Sequence, residues 1–246
     1  MEVFCSMIQT CELIREGKSK RIYATTDPTR AVVYFKDEAM AYHGLKRGRI
    51  LGKGEVNNAV CRTFFELLSR HGIPNHYVEC LDSRQSLICR CEMIPLGVKV
   101  RNRVAGSLIA RTALPAGIVL DPPVVEFVYK NVDAMEKPLV NISHILAMKL
   151  ATRAEMDYIT DVALQINEII TAYMREIDIE MVDFTLEFGR YQGQILVADE
   201  ISPDVARFWD MKTREPLDID RFRRDLGDTE KAYQELLHRM MGMEDE

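Results

Sequence analysis

Short runs of β-branched and aromatic residues alternate with polar turns over the first hundred positions. KRIYAT (20–25) and AVVYFK (31–36) predict two strands joined by a turn. Apolar residues recur at helical spacing from Val56 to Arg70 and predict a helix. These elements favour a small antiparallel sheet covered by one helix. Three more strands are predicted in the runs HYVECL, SLICRCEMI and LGVKVRNRV.

The later part of the chain mixes long helical patterns with strands. Thr152 and Glu155 form a capping box, in which each side chain bonds a free amide at a helix start. Residues 220–241 also alternate apolar and charged positions at helical spacing. The order of elements predicts an α+β protein with two lobes and a cleft between them. We expect a mostly antiparallel β lobe at residues 1–93 and a larger α/β lobe at 94–246.

The composition is that of an ordinary globular protein, because 47% of the 246 residues are hydrophobic and can build a full core. The net charge of −6 argues against a general nucleic-acid binder, which normally has a basic excess. No apolar run approaches the roughly 18 residues that cross a membrane. No basic region precedes an apolar one at the start, so no signal peptide is expected. The six cysteines are therefore expected to be reduced thiols in a cytoplasmic protein.

The first segment with chemical interest is EGKSKRIY, at positions 16–23. A P-loop would need a glycine five positions before Gly17, where this chain has Glu12, so that interpretation fails. Lys18 and Lys20 remain, two apart at the start of a strand, and residues two apart on a strand share a face. Two cations beside a glycine suit a phosphate contact. The alternative is a solvated basic strand, since lysine is mostly exposed.

The second segment is VKVRNRVAGSL, where Arg101 and Arg103 share one strand face. Gly106 and Ser107 follow, at the start of a short helical run. A glycine and a serine there offer free amides and a hydroxyl to an anion, and arginine adds a fork that fits phosphate or carboxylate. The alternative is a strand-to-helix turn with a serine cap.

The third segment, VDFTLEFGRYQGQILVADEISPD, places acids inside otherwise apolar strands. Alternation puts Asp183, Thr185 and Glu187 on one face of the first strand. Asp199 ends the second strand, which is apolar on both faces. Carboxylates on adjacent strands suit magnesium, which prefers a few carboxylates together with phosphate oxygens. The alternative, an exposed polar face, explains Asp183 and Thr185 but explains Asp199 poorly. The loop beyond supplies Asp204 and Arg207, as loops often carry function.

Together with GKGEVNNAV and ADEISPDVARFWD, these segments resemble the SAICAR synthetase family (phosphoribosylaminoimidazole-succinocarboxamide synthase) from about Glu12 to about Leu237. The resemblance implies an ATP-grasp-like fold with the nucleotide held between two lobes. It also implies a ligase that joins L-aspartate to the carboxylate of carboxyaminoimidazole ribonucleotide (CAIR) and converts ATP to ADP and phosphate. A homodimer is the expected assembly.

The resemblance further implies a role for each of nine residues. Glu187 and Asp199 would bind the nucleotide through magnesium, which they would hold. Lys18 and Lys20 would contact the ATP phosphates. Arg101, Ser107 and Arg207 would bind the ribonucleotide phosphate. Asp204 would lie near the imidazole, and Lys130 would lie near the reacting groups.

Two departures from the family pattern keep alternatives open. Thr185 stands where the family usually has a lysine, and Lys137 precedes Pro138 where an aspartate is usual, although Asp133 fits. We hypothesise that Lys137 supplies the positive charge that Thr185 lacks. The alternatives are a divergent relative that uses another amine or carboxylate, and a nucleotide-binding protein without turnover.

Overall fold

The computed structural model describes residues 10–130 and 137–242 as a mixed α/β protein with antiparallel sheets. A single turn of 3-10 helix spans Tyr42–Gly44. The strands, in chain order, are β1 (Thr10–Glu16), β2 (Lys20–Thr25), β3 (Arg30–Phe35), β4 (Glu38–Ala41), β5 (Lys46–Arg49), β6 (Tyr77–Cys80), β7 (Gln85–Cys89), β8 (Glu92–Arg103), β9 (Val119–Tyr129), β10 (Leu139–Val140), β11 (Ile179–Tyr191), β12 (Gln194–Ala198) and β13 (Ala206–Asp210). The helices are α1 (Lys53–Arg70), α2 (Ser107–Thr112), α3 (Ile142–Ala147), α4 (Arg153–Glu176), α5 (Asp220–Arg223) and α6 (Thr229–Met241).

The first sheet has five strands in the order β1-β2-β3-β7-β6, all antiparallel. The helix α1 packs against β3 and buries Val56, Val60 and Phe64 completely. The close approach of α1 to β3 depends on Gly54, because a Cβ there would lie 2.4 Å from the carbonyl oxygen of Phe35. The predicted strands β2 and β3 are confirmed, and the predicted helix begins at Lys53 instead of Val56.

The second sheet carries the larger part of the core. Its order is β10-β9-β8-β11-β12, and β13 also pairs with β11 beside β12. The long strand β11 is therefore bonded to three other strands. The alternate residues Phe184, Leu186 and Phe188 are buried on the face toward α4, whose predicted capping box is present. The opposite face of β8 and β11 is left free to line a cavity.

Two predicted boundaries are wrong. The run SLICRCEMI is not one strand, because the chain leaves the first sheet after Cys89 and enters the second at Glu92. The predicted C-terminal helix is two helices, α5 and α6, with Gly227 between them at a φ of +72°. The helix α6 packs against α1, the helix that covers the first sheet. Among the described residues no helix is both long and apolar enough to span a bilayer.

Candidate active site

The cavity floor is a grid of side chains on β8 and β11. Because side chains alternate along a strand, every second residue of each strand points into the cavity. The cavity has a volume of about 580 Å³. Three cross-strand pairs line it: Arg101 opposite Asp183, Lys99 opposite Thr185, and Gly97 opposite Glu187.

Asp183 forms the centre of the cationic end of this floor. Its carboxylate accepts from Arg101 at 3.1 Å and from Arg207 at 2.9 Å, and Lys99 lies 3.0 Å away. Burial acts to raise the pKa of Asp183, but the surrounding cations outweigh it and lower the pKa. The side chain is 0% exposed, so the interpretation of Asp183 as part of an exposed polar face is wrong.

The three predicted phosphate-binding residues come together at this end. Arg101 donates to Ser107 Oγ at 3.1 Å. Arg207 donates to the carboxylate of Asp183, which also accepts from Arg101. Arg207 is fixed further by Asp220 at 2.7 Å. Gly106 permits the approach, because a Cβ there would lie 2.5 Å from Arg207 Nη2. The glycine of the AGS motif therefore makes room for the arginine.

The acidic end of the floor lies where β11 pairs with β12. Glu187 is opposite Ala198, so Asp199 is the next residue along and turns with a φ of +66°. Glu187 contacts Lys130, and Asp199 accepts from Lys20 at 2.6 Å. Burial and the nearby charge of Asp199 raise the pKa of Glu187. The two acids therefore lie close enough for the charge of Asp199 to act on Glu187.

The acid pair fits a divalent cation. Each carboxylate currently has a lysine partner, and their mutual repulsion is the kind that a cation relieves. Over residues 10–130 and 137–242, no group of three or more acids, histidines or cysteines could hold a metal. Two carboxylates leave positions for phosphate oxygens, which is how magnesium is usually bound beside a nucleotide.

Asp204 lines the same cavity and is held from two sides. Lys53 Nζ lies 2.5 Å from one carboxylate oxygen, and the hydroxyl of Tyr233 donates to the other at 2.8 Å. The side chain of Lys53 is 0% exposed, and Tyr233 is also buried. Sequence reasoning missed both partners. The lysine between two glycines at the start of α1 was a usable signal for Lys53, whereas nothing local marks Tyr233.

The remaining predicted residues lie near the acidic end. Lys20 bridges Asp199 and Glu200 at 2.6 and 2.9 Å, and these acids outweigh burial to raise its pKa. Lys137 lines the cavity beside Lys130; burial and the charge of Lys130 lower its pKa. Lys18 is exposed and close enough to Lys137 to contribute to that effect. Asp133 lies outside the described residues.

Lys99 is a cavity residue that sequence reasoning did not select. It is two positions before Arg101 on the same strand face, so alternation alone could have found it. Arg103, which alternation also placed on that face, instead bonds Glu180 at 2.5 Å and does not line the cavity. A register shift between Arg101 and Arg103 accompanies this change.

Comparisons with known proteins agree along nearly the whole chain. A family model described as SAICAR synthetase matches residues 13–240. The phosphoribosylaminoimidazole-succinocarboxamide synthase of Coprothermobacter proteolyticus is 50% identical over 234 residues, covering 95% of this chain and 99% of that protein. The protein of the same name from Brevibacillus brevis is 49% identical over 232 residues, covering 94% and 97%.

Solved structures share the fold. The crystal structure of phosphoribosylaminoimidazole-succinocarboxamide synthase from Ehrlichia chaffeensis matches with a TM-score of 0.91 and 36% identity, over 93% of this chain and 98% of that one. A SAICAR synthetase in complex with ADP matches with a TM-score of 0.90 and 41% identity, over 94% and 98%. The mixed α/β architecture with antiparallel sheets is thus that of these structures. On the family match and on these identities, the chain belongs to the SAICAR synthetase family.

Proposed function

We propose that this chain joins the amine of L-aspartate to the carboxylate of CAIR and converts ATP to ADP and phosphate, in purine biosynthesis. Family membership over residues 13–240 supports this activity. The observation that assigns this activity to the cavity is the difference in charge between the two ends of its floor. One end holds Arg101 of β8 with Arg207 of β13, and the other holds Glu187 of β11 with Lys130, which follows β9.

The spacing of the two ends suits a phosphorylated ribonucleotide. Arg101 and Gly97 are four positions apart on β8, which corresponds to about 13 Å along a strand. A phosphate bound by Arg101, Ser107 and Arg207 would direct the rest of the nucleotide along the floor toward Glu187. The carboxylate to be activated would then lie near Lys130, and the imidazole near Asp204.

The chemistry follows from the weakness of a carboxylate as an electrophile. Transfer of the γ-phosphoryl group from ATP to a carboxylate oxygen of CAIR forms an acyl phosphate and releases ADP. The amine of aspartate attacks the acyl carbon, the C–O bond to phosphate breaks, and the amine loses a proton as the amide forms. Lys130 would stabilise negative charge on the moving phosphoryl group, and Lys18 and Lys20 would hold the ATP phosphates. Asp204 would orient the imidazole through its polar groups.

Magnesium belongs to the same proposal. Glu187 and Asp199 are the carboxylates that would hold it, with the nucleotide phosphates as further ligands. When bound, it would neutralise phosphate charge and polarise the phosphoryl oxygens. The ATP-grasp-like description, with lobes at residues 1–93 and 94–246 around a nucleotide cleft, is also proposed. We also propose that the protein is a homodimer and that it is cytoplasmic. Size-exclusion chromatography tests the homodimer.

The test is an omission experiment with purified protein, ATP, magnesium, CAIR and L-aspartate. ADP release that requires every component supports the proposal. Glu187→Gln is the active-site control and should abolish this release. Release without aspartate, or none in the complete mixture, would refute it.

A second function has one observation in its favour. Thr185 and Lys137, where the chain departs from the family pattern, both line the cavity. A divergent ligase would release ADP only when another amine replaces aspartate or another carboxylate replaces CAIR. Binding of ATP with no turnover under any combination would indicate a nucleotide-binding protein without catalysis.

A further inference from the structure

We propose that Lys99 is an additional substrate-binding residue, which contacts the phosphate group of the ribonucleotide together with Arg101 and Arg207. The inference deepens the proposed function and rests on it for the identity of the ribonucleotide. It names a cation at the centre of the cavity floor that no motif of the sequence marked.

The position of Lys99 is the first support. It occupies the middle row of the floor, opposite Thr185 on one neighbouring strand and Glu126 on the other. Its Nζ atom lies 3.0 Å from Asp183 Oδ1, so the amine leans toward the cationic end and not toward Glu187. A phosphate held by the two arginines would therefore lie beside it.

The hydrogen-bonding capacity of Lys99 is the second support. An ammonium group has three N–H donors. Asp183 takes one, and over the part of the chain that the structure describes no other acceptor contacts this amine. The side chain is nevertheless only 16% exposed. The two remaining donors of an amine that lines the cavity are suited to phosphate oxygens, which accept several charge-assisted bonds at once.

The charge around Asp183 is the third support. Lys99, Arg101 and Arg207 all contact this single carboxylate. Glu126 takes up part of the charge of Arg101 at 2.7 Å, and Asp220 part of that of Arg207 at 2.7 Å. Among residues 10–130 and 137–242, the acid paired with Lys99 is Asp183 alone, which it shares with two arginines. A dianionic phosphate would balance this cation.

The same surroundings make the contact sensitive to pH. The groups facing Lys99 are Arg101 on β8, Glu126 on β9, Asp183 on β11 and Arg207 on β13. Burial lowers the pKa of Lys99 to about 8; the two arginines add to this and Asp183 opposes it. The protonated fraction of such a group falls about tenfold between pH 7 and pH 9. Phosphate binding should weaken over that interval.

The experiment measures binding without turnover, using ribose 5-phosphate as the probe in isothermal titration calorimetry. Lys99→Met should raise the Kd by roughly tenfold or more at pH 7, because a charge-assisted hydrogen bond is lost. Lys99→Arg keeps its charge and should remove most of the tenfold weakening between pH 7 and pH 9 seen in the wild type. Lys212→Met is the matched control, since Lys212 is an exposed lysine paired with Asp178 outside the cavity.

Two results would overturn the inference. One is a Lys99→Met protein that binds ADP normally and binds ribose 5-phosphate as tightly as the wild type. Should Lys99→Met fail to fold, a Lys99→Arg protein with the wild-type pH slope would overturn it equally. The binding measurements do not require catalysis. A wild type that fails the omission experiment therefore refutes the proposed function, and the calorimetry still tests the role of Lys99 separately.

Discussion

The ion pair between Lys53 and Asp204 gives the sharpest test of how the cavity is held together. Lys53 Nζ lies 2.5 Å from Asp204, and the lysine side chain is 0% exposed. Lys53→Met keeps most of the aliphatic volume and removes the charge. Asp204 would then be left with Tyr233 as its hydrogen-bond donor at 2.8 Å.

The size of the effect follows from this burial. Removing one partner of a buried ion pair typically costs about 3–5 kcal/mol, because the other charge stays desolvated. The Asp204 side chain is 12% exposed and keeps one bond, so we expect the lower part of that range, about 3 kcal/mol. For a chain of this size that corresponds to a fall in Tm of about 6–12 °C. Turnover should also fall, because Asp204 loses its fixed orientation in the cavity.

The assay is urea unfolding followed by circular dichroism, with ADP release as the measure of turnover. The double variant Lys53→Met with Asp204→Asn removes both charges, and we expect it to recover at least half of the stability that the single variant loses. The exposed lysine variant Lys212→Met should leave the unfolding midpoint unchanged. A loss below about 1 kcal/mol in Lys53→Met, or a double variant no more stable than the single one, would refute this account of Asp204.

Three further predictions concern the cationic end of the cavity floor, the stability of the protein in acid, and the departures from the family pattern. Gly106→Ala should weaken ribose 5-phosphate binding by about tenfold or more while ADP binding is retained, because the new methyl group displaces Arg207; unchanged affinity in calorimetry would contradict it. Glu155, whose pKa is lowered to about 2 mainly by its hydrogen bonds with Arg190, gives stability that is present above about pH 4.5 and lost as the pH falls toward 2. The stability difference between wild type and Glu155→Gln in urea should therefore shrink over that interval, and a constant difference would count against the ion pair. Lys137→Ala should raise the KM for ATP several-fold if this lysine supplies the missing charge, and intact ATP binding and turnover would show that hypothesis to be wrong.

Local patterns predicted most of the secondary structure. The alternation in VDFTLEF indicated which face of β11 joins the hydrophobic core, and Thr152 with Glu155 marked the start of α4. The same alternation would have added Lys99 to the cavity. These features depend on residues close together in sequence, where side-chain periodicity and capping chemistry are sufficient evidence.

The rest depends on contacts between distant parts of the chain. Asp183 resembles an exposed strand acid until Lys99 and Arg101 of β8 and Arg207 of β13 converge on it. The partnership of Asp204 with Lys53 joins positions far apart in sequence, and no local pattern announces it. The break within SLICRCEMI was missed because its residues favour strand on both sides of the point where the chain changes sheets.

The bond from Tyr233 has a consequence for how the protein is made. Tyr233 belongs to α6, which in translation order follows every other helix and strand of the described residues. A nascent chain can therefore assemble both sheets before Asp204 gains its second partner. Fragments that stop short of α6 would keep much of the core yet leave Asp204 without its bond from Tyr233, so full ordering of this cavity wall would wait for α6.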